Sequence, residues 1–181
     1  MTIPLLETER LRLRGHYPAG LEAFVAMWQE PQFYQYLAGK PLPEEEIWTK
    51  MLRHMGIWQL CGYGFWAVEE KATGQFIGAV GFGAWQRDIT PSLKGFPEVG
   101  WVLAAHTHGR GYATEAAQAA LTWGDAHLPV PRTVCLIDVG NHPSLRLAAK
   151  CGYQEIAHVL YKGIPVVLLE RFAPSYRPEL S

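Results

Sequence analysis

Residues 98–124, EVGWVLAAHTHGRGYATEAAQAALTWG, decide the expected fold of this chain. A predicted strand, EVGWVL, leads directly into a turn that contains Gly109 and Gly111, and the turn opens an alanine-rich helix that runs to about His127. Small residues recur at helical spacing on one face of this helix, namely Ala113, Ala116, Ala117, Ala120 and Gly124. Such a face lets the helix lie close to the strands, which brings its amino end to the strand tips.

The glycine turn predicts a site for a phosphate group. The first N–H groups of a helix have no partner within the helix, and the helix dipole makes that end positive. Glycine keeps side chains out of the way of a phosphate, while Thr114 adds a hydroxyl and Arg110 a positive charge. The dinucleotide fingerprint needs a third glycine where Thr114 stands, and the sequence lacks the Gly-Lys-Ser/Thr run of the Walker pattern. Both standard nucleotide motifs are therefore disfavoured, and a plain surface turn is the alternative to a phosphate site.

Strand and helix patterns alternate along the rest of the chain. A strand is predicted over 9–14, where charged residues alternate with leucines, and two aromatic-rich helices are predicted over about 19–30 and from near Pro43. Later strands are GFWAVEE, QFIGAVGFGAW, TVCLIDV and two closing segments around 155–160 and 165–172, with a short helix over about 143–150. This order predicts one domain over 1–181 with an α/β (α+β) layer and a partly antiparallel sheet.

Composition limits the partners of the chain. The formal net charge is -1, from 16 basic and 17 acidic residues, so no basic excess draws it to nucleic acid or to an anionic membrane. No apolar run approaches the length that spans a bilayer, and we expect a cytoplasmic protein. Cys61, Cys135 and Cys151 are too far apart for close zinc-ligand pairs, so no metal site is predicted.

Four segments together resemble the GCN5-related N-acetyltransferase (GNAT) superfamily, and within it the RimJ/RimL-like subgroup of ribosomal-protein alanine acetyltransferases. They are ETERLRLR (7–14), EVGWVL (98–103), HGRGYATEA (108–116) and NHPSLRLAAKCGY (141–153), in the order and spacing of that family. The resemblance implies a GNAT fold, with about four helices and a mixed sheet of about seven strands that splays between strands 4 and 5. It also implies acetyl-CoA as the acyl donor, with no metal.

Several cofactor-binding residues are implied by this resemblance. Val102 and Leu103 match backbone positions that hydrogen-bond the pantetheine arm, and Asn141 matches an asparagine that borders the arm. The pyrophosphate would be held by the amides of His108, Gly109, Arg110, Gly111, Tyr112, Ala113 and Thr114. One position departs from the family, because His106 stands where a Gln or Arg is common. We expect the loss of cofactor affinity to be small, since most pyrophosphate contacts come from backbone amides.

Glu98 is the candidate general base. Transfer of an acetyl group to an amine needs the amine neutral, and a carboxylate can receive the ammonium proton directly or through water. Glu98 begins the strand that leads to the turn, and it shares one face with Gly100 and Val102, with room beside Gly100. An ordinary glutamate at a strand end, paired with a surface cation, is the alternative.

Ser144 is the candidate that assists the leaving thiolate. A tyrosine often does this in the superfamily, but Ala148 stands at the matching position, whereas the subgroup commonly has a serine where Ser144 stands. A hydroxyl there would hydrogen-bond the sulfur. The alternative is that Ser144 caps the helix that follows Pro143.

The leading hypothesis is an N-acetyltransferase that moves acetyl from coenzyme A to a primary amine, by direct attack in a ternary complex. The amine could belong to a protein N-terminus or to a small molecule, and the aromatic helices are expected to shape its site. The tail from Tyr161 to Ser181 is a candidate for a wall of that groove or for a homodimer contact, and simple closure of the sheet is the alternative. The rival hypotheses are a non-catalytic acyl-CoA sensor, which needs the glycine turn but not Glu98, and a different phosphate-binding enzyme.

Overall fold

A mixed sheet of eight strands runs through the part of the chain that the computed structural model describes, residues 2–31 and 40–176. Its order is β1-β2-β3-β4-β5-β6-β8-β7. The strands are Leu6–Glu7 (β1), Leu11–Arg14 (β2), Phe65–Glu70 (β3), Phe76–Gly83 (β4), Glu98–Leu103 (β5), Arg132–Asp138 (β6), Gln154–Tyr161 (β7) and Ile164–Phe172 (β8). The described helices are Leu21–Trp28 (α1), Glu44–Cys61 (α2), Tyr112–His127 (α3) and His142–Lys150 (α4).

The predicted α/β class and the mixed sheet are confirmed, with one strand more than the expected seven or so. The additional strand is β1, which has two residues and pairs with β2. Two residues are too few to give a period in the sequence, and this is why the pattern missed it. None of the helices within 2–31 and 40–176 combines the length and the apolar character that a membrane span requires.

The sheet opens between β5 and β6. On one side β5 pairs with β4 over six residue pairs, from Gly78 with Leu103 to Gly83 with Glu98. On the other side it meets β6 in parallel at the pair Glu98 and Val134. Counted from β2, these are the fourth and fifth strands, so the predicted splay is confirmed. Beyond Glu98 the facing edges of the two strands separate.

Helix α3 packs tightly on the sheet through its small residues. Ala116, Ala117 and Ala120 are fully buried, as the spacing predicts. A Cβ atom added to Gly124 would lie 2.7 Å from Cζ of Phe82 on β4, so a larger residue there would push the helix away from the strands. This close approach fixes the position of the amino end of α3 beside the open edge of β5.

A second core cluster holds α1 and α2 against the opposite face of the sheet, and two buried histidines contact its aromatic rings. Phe24, Ile47 and Phe65 belong to this cluster. Nδ1 of His54 lies 3.2 Å from Nε2 of His16, and the His54 ring stacks on Phe65 at a centroid distance of 4.4 Å. Burial lowers the pKa of His16 to about 4, with a smaller contribution from Arg14. Burial also lowers the pKa of His54, so both rings are neutral near pH 7.

We expect the free energy of unfolding to fall as the pH drops from about 6.5 towards 4. His16 binds its proton more weakly in the folded than in the unfolded chain, so protonation favours unfolding, by about 2 kcal/mol between pH 7.5 and 5. His16→Gln removes this proton site, so urea unfolding of the variant should depend less on pH by that amount. His127→Gln, at an exposed position, is the control. An unchanged pH dependence in His16→Gln would contradict this assignment.

Candidate functional site

A groove of about 670 Å³ runs across the opening between β5 and β6. One wall comes from α2, a second from the end of β4 and the segment after it, and a third from β7 and β8. Of the residues singled out in the sequence, Glu98, Val102, Asn141 and Ser144 line this groove. The structure therefore brings the two candidate catalytic residues into one cavity.

The glycine turn lies at the amino end of α3 and has the backbone that the sequence predicts. Gly109 and Gly111 have φ angles of 74° and 79°, a left-handed conformation that favours glycine. A short 3-10 helix, Ala105–Thr107, precedes the turn. The His108 and Arg110 amides donate to the carbonyls of Ala105 and Thr107, at 3.0 and 3.4 Å.

The first-turn amides of α3 are therefore the main donors that the turn offers to a ligand. Tyr112, Ala113 and Thr114 are the first residues of the helix, so their N–H groups have no acceptor within it. A Cβ added to Gly109 would meet nothing within 4 Å, so the space beside it is open. Open space and unpaired amides at the positive end of a helix fit a diphosphate.

Ion pairs and hydrogen bonds of Arg110 and Arg10 stabilise this turn. The Arg110 guanidinium contacts Glu70 Oε1 at 3.1 Å and the Tyr112 hydroxyl at 2.8 Å, and it lies over the Tyr112 ring. Arg10 donates to the Arg110 carbonyl at 2.9 Å and pairs with Glu115 at 2.6 Å. The positive charge that the sequence assigns to Arg110 is thus largely balanced by Glu70, and its role here is to hold the turn.

The backbone of β5 presents one of the two predicted pantetheine contacts to the opening. The Ala104 amide donates to the Ile77 carbonyl at 2.8 Å. Because backbone groups alternate sides along a strand, those of Val102 also face β4 and those of Leu103 face the opening. The Leu103 carbonyl lies 3.0 Å from Nε2 of His108, which ties the strand end to the turn. Val102 contributes to the groove wall instead.

Glu98 is buried, and its carboxylate is held by Arg87. Nε and Nη2 of Arg87 donate to Oε2 and Oε1 of Glu98 at 2.6 and 2.7 Å. Burial raises the pKa of Glu98, while Arg87 lowers it, and the net direction is upward. The alternative from the sequence is an ordinary strand-end glutamate paired with a surface cation. The Glu98 carboxylate is paired with Arg87, but it is buried in the wall of the groove. A carboxyl with a raised pKa is a stronger proton acceptor once it is ionised.

Ser144 does not cap the helix α4. The side chain of Asn141 caps it, because Asn141 Oδ1 accepts a hydrogen bond from the Ser144 amide at 3.2 Å. The Ser144 hydroxyl instead accepts from Nε1 of Trp101 at 3.2 Å. Trp101 donates to the Ser144 oxygen, so this hydrogen bond does not use the hydroxyl proton. That proton can donate to a ligand in the groove.

The groove also contains residues that the sequence did not mark as functional. Arg87 lies in an irregular segment, and neither periodicity nor a motif connects it to Glu98. Lys50 and Arg53 lie on the predicted aromatic-rich helix that begins near Pro43, where the sequence does not distinguish them from solvated charges. Tyr161 and Ile164 line the groove from β7 and β8, which also close the sheet, while 177–181 lie outside the described residues. Within 2–31 and 40–176, no cluster of three or more His, Cys, Asp or Glu side chains could hold a metal ion.

Comparisons of sequence and fold match this chain to acetyltransferases. The acetyltransferase (GNAT) domain family matches residues 10–154. A solved GNAT-family acetyltransferase from Bordetella pertussis is 32% identical, with a TM-score of 0.82, and the match covers 92% of this chain and 98% of that chain. The uncharacterised N-acetyltransferase p20 of Bacillus licheniformis is 25% identical over 151 residues, 83% of this chain and 82% of that protein.

A more distant solved structure shares the fold. It is RimL, a ribosomal L7/L12 alpha-N-protein acetyltransferase in complex with coenzyme A, with a TM-score of 0.77 at 16% identity. The match covers 93% of this chain and 98% of that chain. This agrees with the RimJ/RimL-like resemblance of the sequence at the level of the fold.

Proposed function

The chain belongs to the acetyltransferase (GNAT) family, and from this premise we propose that it moves the acetyl group of acetyl-CoA to a primary amine by direct attack in a ternary complex. N-acetyltransferase activity and the use of acetyl-CoA follow from the family; the acceptor and the roles of individual residues are the proposal. The observation that carries it is the position of Glu98. Its buried carboxylate lines the groove at the last residue pair before β5 and β6 separate.

The turn and the open strand edge hold the donor. Amides of Gly109, Gly111, Tyr112, Ala113 and Thr114 are available for the pyrophosphate, with His108 and Arg110 shaping the turn, and the Leu103 amide is available for the arm. Asn141 keeps α4 in place beside the opening. When bound, acetyl-CoA supplies an activated thioester. A helix end and a strand edge that are both formed before binding need little rearrangement to hold it.

Glu98 and Ser144 then act on the amine and on the leaving sulfur. The neutral nitrogen forms the amide bond with the acetyl carbon as the C–S bond breaks, and the proton that this nitrogen loses balances the charge of the thiolate. Glu98 takes the proton of the acceptor ammonium, directly or through water, which frees the nitrogen lone pair. Ser144 donates its hydroxyl proton as a hydrogen bond towards the leaving sulfur. Arg87 is a positioning residue, because it fixes both oxygens of Glu98 in one orientation and favours the ionised form.

Thiol release from acetyl-CoA over a panel of amines tests the proposal. We expect acceptor-dependent release with at least one primary amine, and acetylated amine in equal amount. Tight coenzyme A binding without release for any amine would favour the sensor hypothesis instead. The cytoplasmic location and the homodimer contact stay predictions from the sequence.

Arg87→Met should move the acid limb of the pH–activity profile to higher pH. Without the guanidinium, the pKa of Glu98 rises further, so the carboxylate that accepts the proton forms only at higher pH. Activity near pH 7 should fall by about tenfold and recover as the pH is raised. The limb is measured as kcat/KM from pH 5 to 9.

The control for this prediction is Arg171→Met. Arg171 makes a similar two-pronged pair with Asp125, at 2.6 and 2.7 Å, outside the groove. That variant should lose stability but keep the wild-type acid limb. An acid limb that stays in place in Arg87→Met would remove Arg87 from the mechanism.

A further inference from the structure

Cations outnumber carboxylates in the wall of the groove. Four cationic side chains line it, from Lys50, Arg53, Arg87 and Lys162, against the carboxylates of Glu98 and Asp138. Arg87 and Glu98 neutralise each other. Asp138 Oδ1 accepts a hydrogen bond from the Gly140 amide at 2.7 Å. The uncompensated charge of the groove is therefore positive, and much of it lies on α2.

Lys50 and Arg53 are three residues apart on α2, so they project from the same face of the helix. Lys50 Nζ lies 4.6 Å from the centroid of the Trp28 ring, and Arg53 Cζ lies 4.9 Å from that of Trp85. Among the residues that the structure describes, no carboxylate is within ion-pair distance of either cation. Two like charges thus stand beside aromatic rings, and within the described chain Glu46 acts on Lys50 without forming an ion pair.

For Lys50 this arrangement is unfavourable without a ligand, whereas Arg53 is exposed to solvent. Burial lowers the pKa of Lys50, and the neighbouring charge of Arg53 lowers it further, although Glu46 acts in the opposite direction. Trp28, which also lines the groove, is 7% exposed, and its indole N–H is a buried donor with no acceptor in the described part of the chain. An anion bound in the groove beside α2 would favour the charged form of the partly buried Lys50 and would be attracted by Arg53 on the same face.

We infer that the acceptor amine carries an anionic group, most simply a carboxylate, which Lys50 and Arg53 bind while the amine faces Glu98. This inference rests on the proposed function and names its substrate class. The source of the carboxylate can be a free amino acid or an acidic side chain near a peptide N-terminus. A polyamine has the opposite charge and would be repelled by the same wall.

Matched acceptors that differ only in charge test the inference. The first pair is alanine and alaninamide, and the second is the C-terminally amidated dipeptides Ala-Asp and Ala-Asn, with spermidine as the polyamine. We expect kcat/KM for the anionic member of at least one pair to exceed that of its neutral partner by about tenfold. The pair that shows the difference identifies the source as an amino acid or a peptide.

Variants of Lys50 and Arg53 test whether these two side chains cause the preference for anionic acceptors. Lys50→Met and Arg53→Gln should each raise KM for the anionic acceptor by about tenfold and leave the neutral acceptor within about twofold. Lys94→Met, at an exposed position outside the groove, should change neither. Thermal unfolding of each variant shows whether it is folded, and the neutral acceptor serves as an internal reference for activity.

The outcomes separate this inference from the proposed function. Equal use of charged and neutral acceptors in both pairs, or faster acetylation of spermidine than of either anionic acceptor, would overturn the inference and leave acetyl transfer to amines intact. An unchanged preference in both α2 variants would also overturn it. If no amine of any charge releases thiol, the proposed function fails and this inference fails with it.

Discussion

Gly111→Asp is expected to weaken the binding of coenzyme A by about tenfold to a hundredfold. Gly111 is the N-cap of α3 with a φ of 79°, and the amides that follow it are the donors proposed for the pyrophosphate. A carboxylate at this position repels phosphate and obstructs the approach to those amides. Titration calorimetry with coenzyme A measures the change in Kd.

Two further variants separate charge from backbone strain. Gly111→Asn is neutral and tolerates the left-handed conformation, so it should weaken binding less than Gly111→Asp does. Gly74→Asp puts the same side chain at a φ of 69° in a turn outside the site, where nothing lies within 4 Å of an added Cβ. This control should bind coenzyme A as the wild type does. Wild-type affinity in Gly111→Asp would mean that the phosphate site lies elsewhere.

Glu98→Gln is expected to lower kcat by about a hundredfold or more, with little change in coenzyme A affinity. The amide keeps the shape of the side chain but cannot accept a proton. The acid limb assigned to Glu98 should also disappear from the pH profile, because no group is left there to ionise. Steady-state kinetics from pH 5 to 9, together with calorimetry, measure both effects.

Glu69→Gln is the matched control for this variant. The Glu69 side chain is 12% exposed and that of Glu98 is 9% exposed, and Glu69 also pairs with an arginine, Arg14. Both substitutions leave an arginine without its carboxylate, so a similar loss of thermal stability is expected in each. A kcat within twofold of the wild type in Glu98→Gln would exclude Glu98 as the base.

Much of the fold can be predicted from the sequence because its helices and strands have strong local patterns. The alternation of leucine and arginine in β2, the Gly109 and Gly111 turn and the small face of α3 each reflect one physical requirement of backbone or packing. Boundaries were less accurate: α1 begins at Leu21 rather than near residue 19, and α4 begins at His142 rather than near residue 143. The first and last residues of a helix depend on capping side chains such as Asn141, and hydrophobic periodicity does not locate these.

The site was only partly predictable. Glu98 and Ser144 lie on segments that resemble a known family, and the structure puts both in one groove. Their partners could not be read from the sequence, because Arg87 reaches Glu98 from an irregular segment, and Trp101 reaches Ser144 across 43 positions of the chain. The role proposed for Lys50 and Arg53 could not be predicted from the sequence. It depends on their contacts with Trp28 and Trp85 and on the absence of an ion-paired carboxylate among the described residues, and only the fold shows these.

The crystal structure of the protein soaked with acetyl-CoA tests the central claim most directly. We expect density for the diphosphate against the first-turn amides of α3, with the arm lying between β5 and β6 along Leu103. Density for the diphosphate at any other place, or a helix end covered by the protein's own side chains at saturating ligand, would contradict the claim.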